Sequence, residues 1–358
     1  MSTSKKIRGL SRALVVLAAA SAYGSALAQE GGGLAPLATS ESSVSVGLGV
    51  ASGDSSDRAR FGLYNGLRKD DANLLFGFNY RNRDESSGKW LTINGRNIGL
   101  DNREFGASYR WLGDMKFNVD YSEIVRHDPR TINTSLSGAG TTTPTVSLLA
   151  TPGTGQDLNL ELKRKGLGFN FEKMFGNYQV EVSFKNEEKE GARFFGKGFA
   201  CSTAWANVGA CTLGVGGTAA SRALTDGASA VLMLPEPVNS VHRQFEAKLN
   251  YSGQNLRLSG GYYGSFYTNR NGNMTPTIVG PFSDQNGGAN PANAGLATTM
   301  GLPMALAPDN QAHQLSLAGN YTITPKTRIN FKYAYTHATQ NESFGGMGLS
   351  GEIGRAHV

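Results

Sequence analysis

Two cysteines and five histidines are the residues of this chain that could support metal or redox chemistry. Cys201 and Cys211 stand close together in a stretch rich in Gly, Ala and Thr. In an oxidising compartment such a pair most simply forms a disulfide within one loop, while a metal or redox pair and two free thiols remain alternatives. No C-x-x-C-H motif occurs, so we expect the chain to attach no c-type haem and to bind no cofactor directly. Four histidines lack the spacing of metal ligands: His127, His242, His313 and His337.

Charged side chains are the second candidate group. No serine has the surroundings of a nucleophile elbow, and no Ser/His/Asp grouping stands out, so we expect no catalytic residues and no enzyme. The acids and bases are instead dispersed along stretches in which polar and apolar residues alternate. We interpret them as solvated charges on a water-filled interior, with contact to a cargo or permeant as the alternative. The candidate lumen-facing residues are Arg110, Lys116, Asp120, Glu181, Lys185, Glu246, Lys248 and Lys332.

The first 28 residues have the pattern of an export signal. Four basic residues precede the apolar run 13–20, and the small-x-small sequence ALA at 26–28 precedes Gln29. This pattern predicts a Sec-type signal peptide over residues 1–28, since the apolar run is shorter than the ~20 residues of a membrane-spanning helix. Its removal takes away four of the 34 basic residues and none of the 28 acidic ones, which leaves a net charge of +2. We therefore expect export, and no nucleic-acid partner.

Composition and periodicity indicate an all-β protein. Glycine contributes 47 of 358 residues, charged residues 17% and aromatic residues 9%. Apolar and polar residues alternate strictly in many segments, which is the pattern of strands with one apolar and one polar face. Residues 52–73 are ambiguous. The clearest alternating segments are 43–50, 74–80, 105–111, 115–121, 178–184, 245–251, 314–321 and 329–335.

Three features favour a transmembrane barrel over a soluble all-β fold. The alternating runs reach the ~9–11 residues needed to cross a membrane at a tilt. Aromatic residues often close the apolar face, as in an interfacial girdle. Tight turns at 112–114, 175–177, 252–254 and 324–327 alternate with long polar loops at roughly 125–156, 190–240 and 269–310. We therefore predict an antiparallel up-and-down β-barrel in a bacterial outer membrane, with about ten to twelve strands between residues 43 and 338.

Six local motifs occur in order along the chain: YNGL (64–67), GRNIGLDNRE (95–104), KEGAR (189–193), LPEPV (234–238), GYYGS (261–265) and LAPDNQAH (306–313). Together they resemble the MtrB/PioB family of outer-membrane barrels, and the similarity runs over residues 44–345. The resemblance implies a barrel that sheathes a periplasmic multihaem c-type cytochrome within the lipid bilayer, supporting electron transfer for metal reduction or iron oxidation, with an outer-surface cytochrome as a further partner. The N-terminal C-x-x-C of some members is missing here, and no catalytic residue is implied.

The strand count is small for that role, because a barrel holding a many-haem protein should lie near the top of the ~8–26 strand range. Residues 352–358 read like translated sequencing-adapter DNA. We therefore expect an incomplete, open portion of a larger barrel: signal peptide 1–28, periplasmic segment 29–42, barrel 43–345 and truncated end 346–358. A natural small barrel acting as a passive porin or solute channel is the alternative. A barrel enzyme such as an outer-membrane lipase is a third class.

Overall fold

A computed structural model describes residues 15–21, 42–69, 71–147, 151, 153–200, 229–279 and 301–343. Twelve strands form one sheet. Its strands are β1 (Val15–Ser21), β2 (Ser43–Ala51), β3 (Ala72–Asp84), β4 (Lys89–Ile98), β5 (Glu104–Trp111), β6 (Met115–Thr134), β8 (Gln156–Phe175), β9 (Tyr178–Ala200), β10 (Ser229–Ser252), β11 (Leu256–Asn269), β15 (Asn310–Thr324) and β16 (Thr327–Thr339). Outside it are helix α1 (Ser55–Phe61) and the short strands β7 (Thr145–Ser147), β12 (Asn273–Met274), β13 (Thr277–Val279) and β14 (Met304–Ala305).

The sheet is an up-and-down meander, because each of its strands pairs antiparallel with the one before and after it. This confirms the predicted all-β, antiparallel topology. Between residues 43 and 338 the sheet has eleven strands, within the predicted range. In the part of the chain that is described, β16 pairs only with β15, and the sheet does not close. None of the described helices is long and apolar enough to span a membrane.

Strand β1 falls within the predicted signal peptide. It pairs with β2 along its length, from Val15 opposite Ala51 to Ser21 opposite Ser45. An apolar run that contains valines readily adds to the free edge of a sheet, since an edge strand presents unpaired backbone groups. The assignment of residues 1–28 to a signal peptide stays a prediction.

All short turns lie at one edge of the sheet, here called the turn edge, and all longer connections lie at the opposite loop edge. The turns follow β3, β5, β8, β10 and β15, and backbone hydrogen bonds join neighbouring turns, such as Leu112 N–H to Gly88 C=O at 2.9 Å. The strand ends that the longer connections join lie at the loop edge, namely those between β4 and β5, β6 and β8, β9 and β10, and β11 and β15. The four predicted tight turns and the alternation of loop lengths are confirmed.

The predicted extents of two long loops were wrong. Residues 125–134 continue β6, and residues 190–200 and 229–240 belong to β9 and β10. Strand β9 has 23 residues, each with a rise of ~3.3 Å. It is therefore far longer than the ~9–11 residues that a tilted strand needs to cross a membrane. Polar and apolar residues no longer alternate in these extensions, because both faces of the strands lie outside the apolar layer. The backbone pairing of β9 with β10 nevertheless continues from Ala200 opposite Ser229 to Tyr178 opposite Tyr251.

The ambiguous segment 52–73 contains α1 and a turn-rich stretch that packs at the loop edge. Leu67 is buried, and Arg68 donates a hydrogen bond to the Asp128 carbonyl at 3.0 Å. The backbone of Leu63 accepts a hydrogen bond from His127 N–H at 2.9 Å. The segment therefore extends the sheet's loop edge rather than crossing it as a further strand.

The two faces of the sheet differ in polarity, and the apolar face is exposed. Six apolar residues that we expect to contact lipid share this face: Phe117, Val119, Tyr178, Val180, Phe331 and Tyr333. Large apolar side chains are exposed along it, including Leu48 at 57%, Leu249 at 50% and Tyr333 at 61%. A soluble protein would not leave so extended an apolar surface in water, whereas a lipid-facing wall requires it.

A small apolar core lies at the loop edge, on the opposite face. It consists of Leu136, Leu234, Met274 and Leu306, all buried. Leu234 is on β10, while the others come from the connections after β6 and β11, which are joined by the parallel pairing of β7 with β13. These two long connections thus fold over the polar-face side of the extended β9–β10 hairpin.

Candidate functional site

The polar face of the sheet collects all eight charged residues singled out from the sequence. Their register connects neighbouring strands: Arg110 opposes Lys116, Lys116 opposes Glu172, and Glu172 opposes Glu181. Glu181 in turn opposes Lys248. The remaining predicted residues, Asp120, Lys185, Glu246 and Lys332, lie on the same face by the same pairings. That this face lines a lumen stays a prediction.

Charge on the polar face is divided between two sectors. One group of charged residues lies on strands β3–β6 and is called the basic sector here. A second group lies at the same height on strands β8–β10 and is called the acidic sector. The basic sector also contains two acids, Glu104 and Asp120. The acidic sector also contains four bases, so that its formal charges balance: Arg164, Lys185, Lys189 and Lys248. The basic sector consists of Arg81, Arg83, Arg96, Arg110 and Lys116, and the acidic sector of Glu172, Glu181, Glu187 and Glu246.

The carboxylates of the acidic sector are satisfied within the protein. Glu172 accepts a hydrogen bond from Gln179 at 2.7 Å, and Glu181 accepts one from Asn250 at 2.9 Å. Glu246 pairs with Lys248 at 2.7 Å. Glu187 pairs with Arg164 at 3.3 Å and Lys189 at 3.0 Å. Donors thus stand next to each carboxylate, which offsets the repulsion between Glu172 and Glu181 across neighbouring strands.

The basic sector has no such partners. None of its five side chains makes an ion pair or hydrogen bond with a described residue. Arg110 and Lys116 stand directly opposite each other, an arrangement that is unfavourable for like charges. Arg96 stands directly opposite Glu104 without forming an ion pair with it, and the Arg83 guanidinium lies over the Trp90 ring, 4.9 Å from its centroid.

A cavity of about 710 Å³ extends the basic sector toward the loop edge. Arg81 and Arg96 line it together with the amides Asn79 and Asn94, and no Asp or Glu contributes to its wall. Phe61 at the end of α1 forms part of the lining. The wall of the cavity is therefore largely apolar, and its two arginines and its amides add positive charge and hydrogen-bond donors.

The apolar face changes character beyond Tyr121, where charged residues replace apolar ones. Glu123 is buried and accepts two hydrogen bonds from Arg103, both at 2.9 Å, one from Lys163 at 2.7 Å and one from the Tyr121 hydroxyl at 2.7 Å. Burial by itself would raise the pKa of Glu123, but the hydrogen bonds from Lys163, Tyr121 and Arg103 outweigh it and lower that pKa to about 2. This cluster marks the end of the apolar layer on the loop-edge side.

The turn-edge limit of the same face carries aromatic residues and lysines. The rings of Tyr178 and Tyr251 lie 5.0 Å apart between their centroids. Lys89 lies 4.9 Å above the centroid of the Trp111 ring, and Lys173 pairs with Asp114 at 2.5 Å. Aromatic rings and long cationic side chains of this kind suit a membrane–water boundary.

Two of the four described histidines are cross-strand neighbours, since His313 on β15 stands directly opposite His337 on β16, whereas the other two lie apart from them. His127 contacts Asp101 at 2.7 Å, and His242 contacts the Ser265 hydroxyl at 2.8 Å. His313, near the start of β15, bonds through Nδ1 with the Tyr262 hydroxyl at 2.8 Å. No group of three His, Cys, Asp or Glu side chains arranged to hold a metal ion is found within the described residues. Cys201 and Cys211 lie outside those residues.

An ion pair that the sequence reasoning missed lies on the polar face near the loop edge. Arg193 donates two hydrogen bonds to Glu236, at 2.8 and 3.1 Å. The carboxylate is buried, and its hydrogen bonds raise the pKa of Arg193 above its ordinary value. Each residue occurs in one of the family-like motifs, KEGAR and LPEPV, but only the pairing of β9 with β10 shows that the two motifs meet.

Comparisons with known proteins agree on the class of this chain. Residues 54–353 match the family model described as "Putative outer membrane beta-barrel porin, MtrB/PioB". Among curated proteins, the chain is 24% identical over 343 residues to "Outer membrane protein MtrB" of Shewanella baltica (strain OS185), covering 86% of this chain and 42% of that protein. The chain therefore spans less than half the length of this relative.

Solved structures give weaker similarities. In-vitro folded OmpT of Vibrio cholerae superposes with a TM-score of 0.32 at 12% identity, covering 87% of this chain and 70% of that one. A loop-deletion mutant of the same protein, OmpTdeltaL8, gives a TM-score of 0.32 at 11% identity, covering 83% and 71%. At these TM-scores the likeness carries no argument about this chain.

Proposed function

The chain belongs to the MtrB/PioB family of outer-membrane β-barrel porins, and from this premise we propose that it is a barrel wall that encloses a periplasmic multihaem c-type cytochrome. Electrons would cross the outer membrane through the haems of the enclosed protein, for metal reduction or iron oxidation. The wall itself would bind no haem and catalyse no reaction. The resemblance of residues 44–345 to the family supports this role.

The observation that carries the proposal is the separation of polarity between the two faces. All eight candidate charged residues stand on one face, while the opposite face exposes large apolar side chains. A haem chain that crosses a membrane must be kept out of lipid, and a barrel can provide a hydrated wall for it because the strands satisfy their backbone hydrogen bonds within the sheet.

The length of the relative is consistent with a barrel wide enough to enclose a cytochrome. Eleven strands fall in a chain that corresponds to 42% of the Shewanella baltica protein. At that strand density the whole relative would have on the order of 25 strands, near the top of the known range. A barrel of that size encloses a space that an eleven-stranded barrel does not.

Co-purification from the native bacterium tests the proposal. A tagged form of the chain would be isolated from outer membranes in mild detergent, with an unrelated tagged porin as control. We expect a haem-containing protein with several C-x-x-C-H motifs, identified by mass spectrometry, in a fixed ratio to the tagged chain and protected from added protease. A chain that purifies without haem and conducts ions in planar bilayers would instead support a passive porin, the function that the family description favours.

A further inference from the structure

We propose that the basic sector is the surface on which the barrel holds its cargo, through carboxylates on the enclosed cytochrome. This inference rests on the proposed function and names the part of the wall that would make the contact. The surface comprises Arg81, Arg83, Arg96, Arg110 and Lys116, on four consecutive strands.

The first argument is the contrast between the two sectors of the polar face. All four carboxylates of the acidic sector have donors within the protein, whereas none of the five basic side chains has an acceptor among the described residues. The two acids nearest the basic sector, Glu104 and Asp120, are exposed and pair with none of them. The sector therefore keeps a net charge of +3, available to a partner.

The second argument is the cost of this arrangement in the absence of a partner. Arg110 and Lys116 repel each other across β5 and β6, and Trp90 stands between Arg83 and Arg110 on the adjoining strands. Stacking on Trp90 restricts the Arg83 guanidinium, so less side-chain freedom is lost when it binds. An incoming carboxylate would relieve the repulsion and take bidentate hydrogen bonds from the arginines.

The third argument is position. Arg83, Arg110 and Lys116 lie next to the turn edge, since Asp84 opposes Lys89 and Trp111 opposes Met115 at the ends of their strands. Short turns of outer-membrane barrels face the periplasm. A periplasmic cytochrome would therefore meet these three residues first as it enters the barrel. It would then meet Arg81 and Arg96, which line the cavity deeper in the wall. This order of contacts favours electrostatic steering of an acidic protein.

Two triple variants with equal loss of charge test the proposal. The first is Arg83→Gln/Arg110→Gln/Lys116→Gln. The matched control is Lys185→Gln/Arg257→Gln/Lys332→Gln, which removes three exposed or half-buried basic residues from the same face outside the sector. Both are made in the full chain, and their abundance in the outer membrane and heat-modifiable gel migration are measured first. The haem-containing protein that co-purifies is then released by increasing NaCl.

We expect the first variant to bind the haem protein about tenfold more weakly than the control and to lose most of the salt dependence. A photo-crosslinking residue at position 83 or 110 should attach to segments of that protein rich in Asp and Glu. One that replaces Ser183, which lies opposite Glu246 in the acidic sector, should not. Equal weakening by the two variants, or crosslinks from position 183 alone, would overturn the inference and leave the proposed function standing.

Two other outcomes also decide the matter. If the wild-type chain carries no haem protein, both the proposed function and this inference fail. If the first variant retains the haem protein as well as the control does, while its selectivity in planar bilayers shifts from anions toward cations, the basic sector serves a small permeant anion and the inference is overturned.

Discussion

Arg193 on β9 and Glu236 on β10 form a bidentate ion pair, with N–O distances of 2.8 and 3.1 Å, beyond the apolar part of the two longest strands. The pair sits next to Leu234, which is 1% exposed and belongs to the small apolar core of the loop edge. A buried carboxylate is tolerated there because a single guanidinium engages both of its oxygens. The pair therefore adds a side-chain link between the two strands of the hairpin, next to the apolar core that the connections complete.

The first prediction concerns this pair. Arg193→Ala should lower the free energy of unfolding by about 1–2 kcal/mol, because the buried Glu236 would lose both donors, although the arginine itself is largely exposed. Urea unfolding in lipid vesicles measures it, in a double-mutant cycle with Glu236→Ala. A coupling free energy near zero would show that the pair does not hold the hairpin together. Arg257→Ala, a polar-face arginine without an ion pair, is the control.

The second prediction concerns the membrane-facing register. Single cysteines at Phe117, Val119, Tyr178, Val180, Phe331 and Tyr333 should react with a lipid-soluble thiol reagent, and those at Asn118, Gln179, Glu181 and Lys332 with a water-soluble one. Val119→Arg should cost ~2–4 kcal/mol near the middle of the membrane, and Asn118→Arg much less. The reverse labelling pattern would contradict the assignment of the faces.

The third prediction concerns acid. The pKa of Glu123 is lowered from 4.5 to about 2 in the folded protein, so its carboxylate contributes stability above about pH 4.5 that is lost as the pH falls toward 2. The free energy of unfolding should therefore decline more steeply across this window in the wild type than in Glu123→Gln. Parallel pH profiles for the two proteins would rule out this role for Glu123. At pH 7 the substitution should cost ~1–3 kcal/mol.

The fourth prediction concerns Gly191, which has a φ of +132°. A Cβ at this position would meet the carbonyl oxygen of Glu161 on the neighbouring strand. Gly191→Ala should therefore destabilise the protein by about 1–3 kcal/mol, through both backbone strain and this contact. Gly260→Ala is the matched control, since its nearest contact would be Leu317 Cδ1 at an ordinary 3.7 Å. Equal unfolding midpoints for the two variants would contradict the prediction.

The fifth prediction concerns Cys201 and Cys211. We expect the two thiols to be oxidised to a disulfide outside the membrane, because they stand close together in an exported chain. Replacing both by serine should leave the barrel folded, with at most ~3 kcal/mol of loop ordering lost. Thiol titration of the protein from intact cells measures this, and two free thiols would contradict it.

Local patterns in the sequence determined the strands of the apolar layer and their turns. Alternation requires a chemical difference between the two faces, and such a difference exists only where one face meets lipid, as along residues 115–121 and 178–184. Tight turns such as the one at Gly176, with a φ of +58°, depend on glycine and can be read locally. Strands β4 and β11 and helix α1 were not identified from alternation, because their residues show neither period clearly.

The tertiary structure alone decided which distant residues became neighbours. Strands β9 and β10 continue through residues with no alternation because each supplies the other's hydrogen-bond partners, and that ladder brings Arg193 to Glu236. The grouping of Arg83, Arg110 and Lys116 against the separate set of Glu172, Glu181 and Glu246 depends on the pairing register of seven strands. The sequence determines the charge of each residue and the face of the strand on which it lies. The local electrostatic potential is the sum over neighbouring charges, and only the pairing of strands brings those neighbours close together.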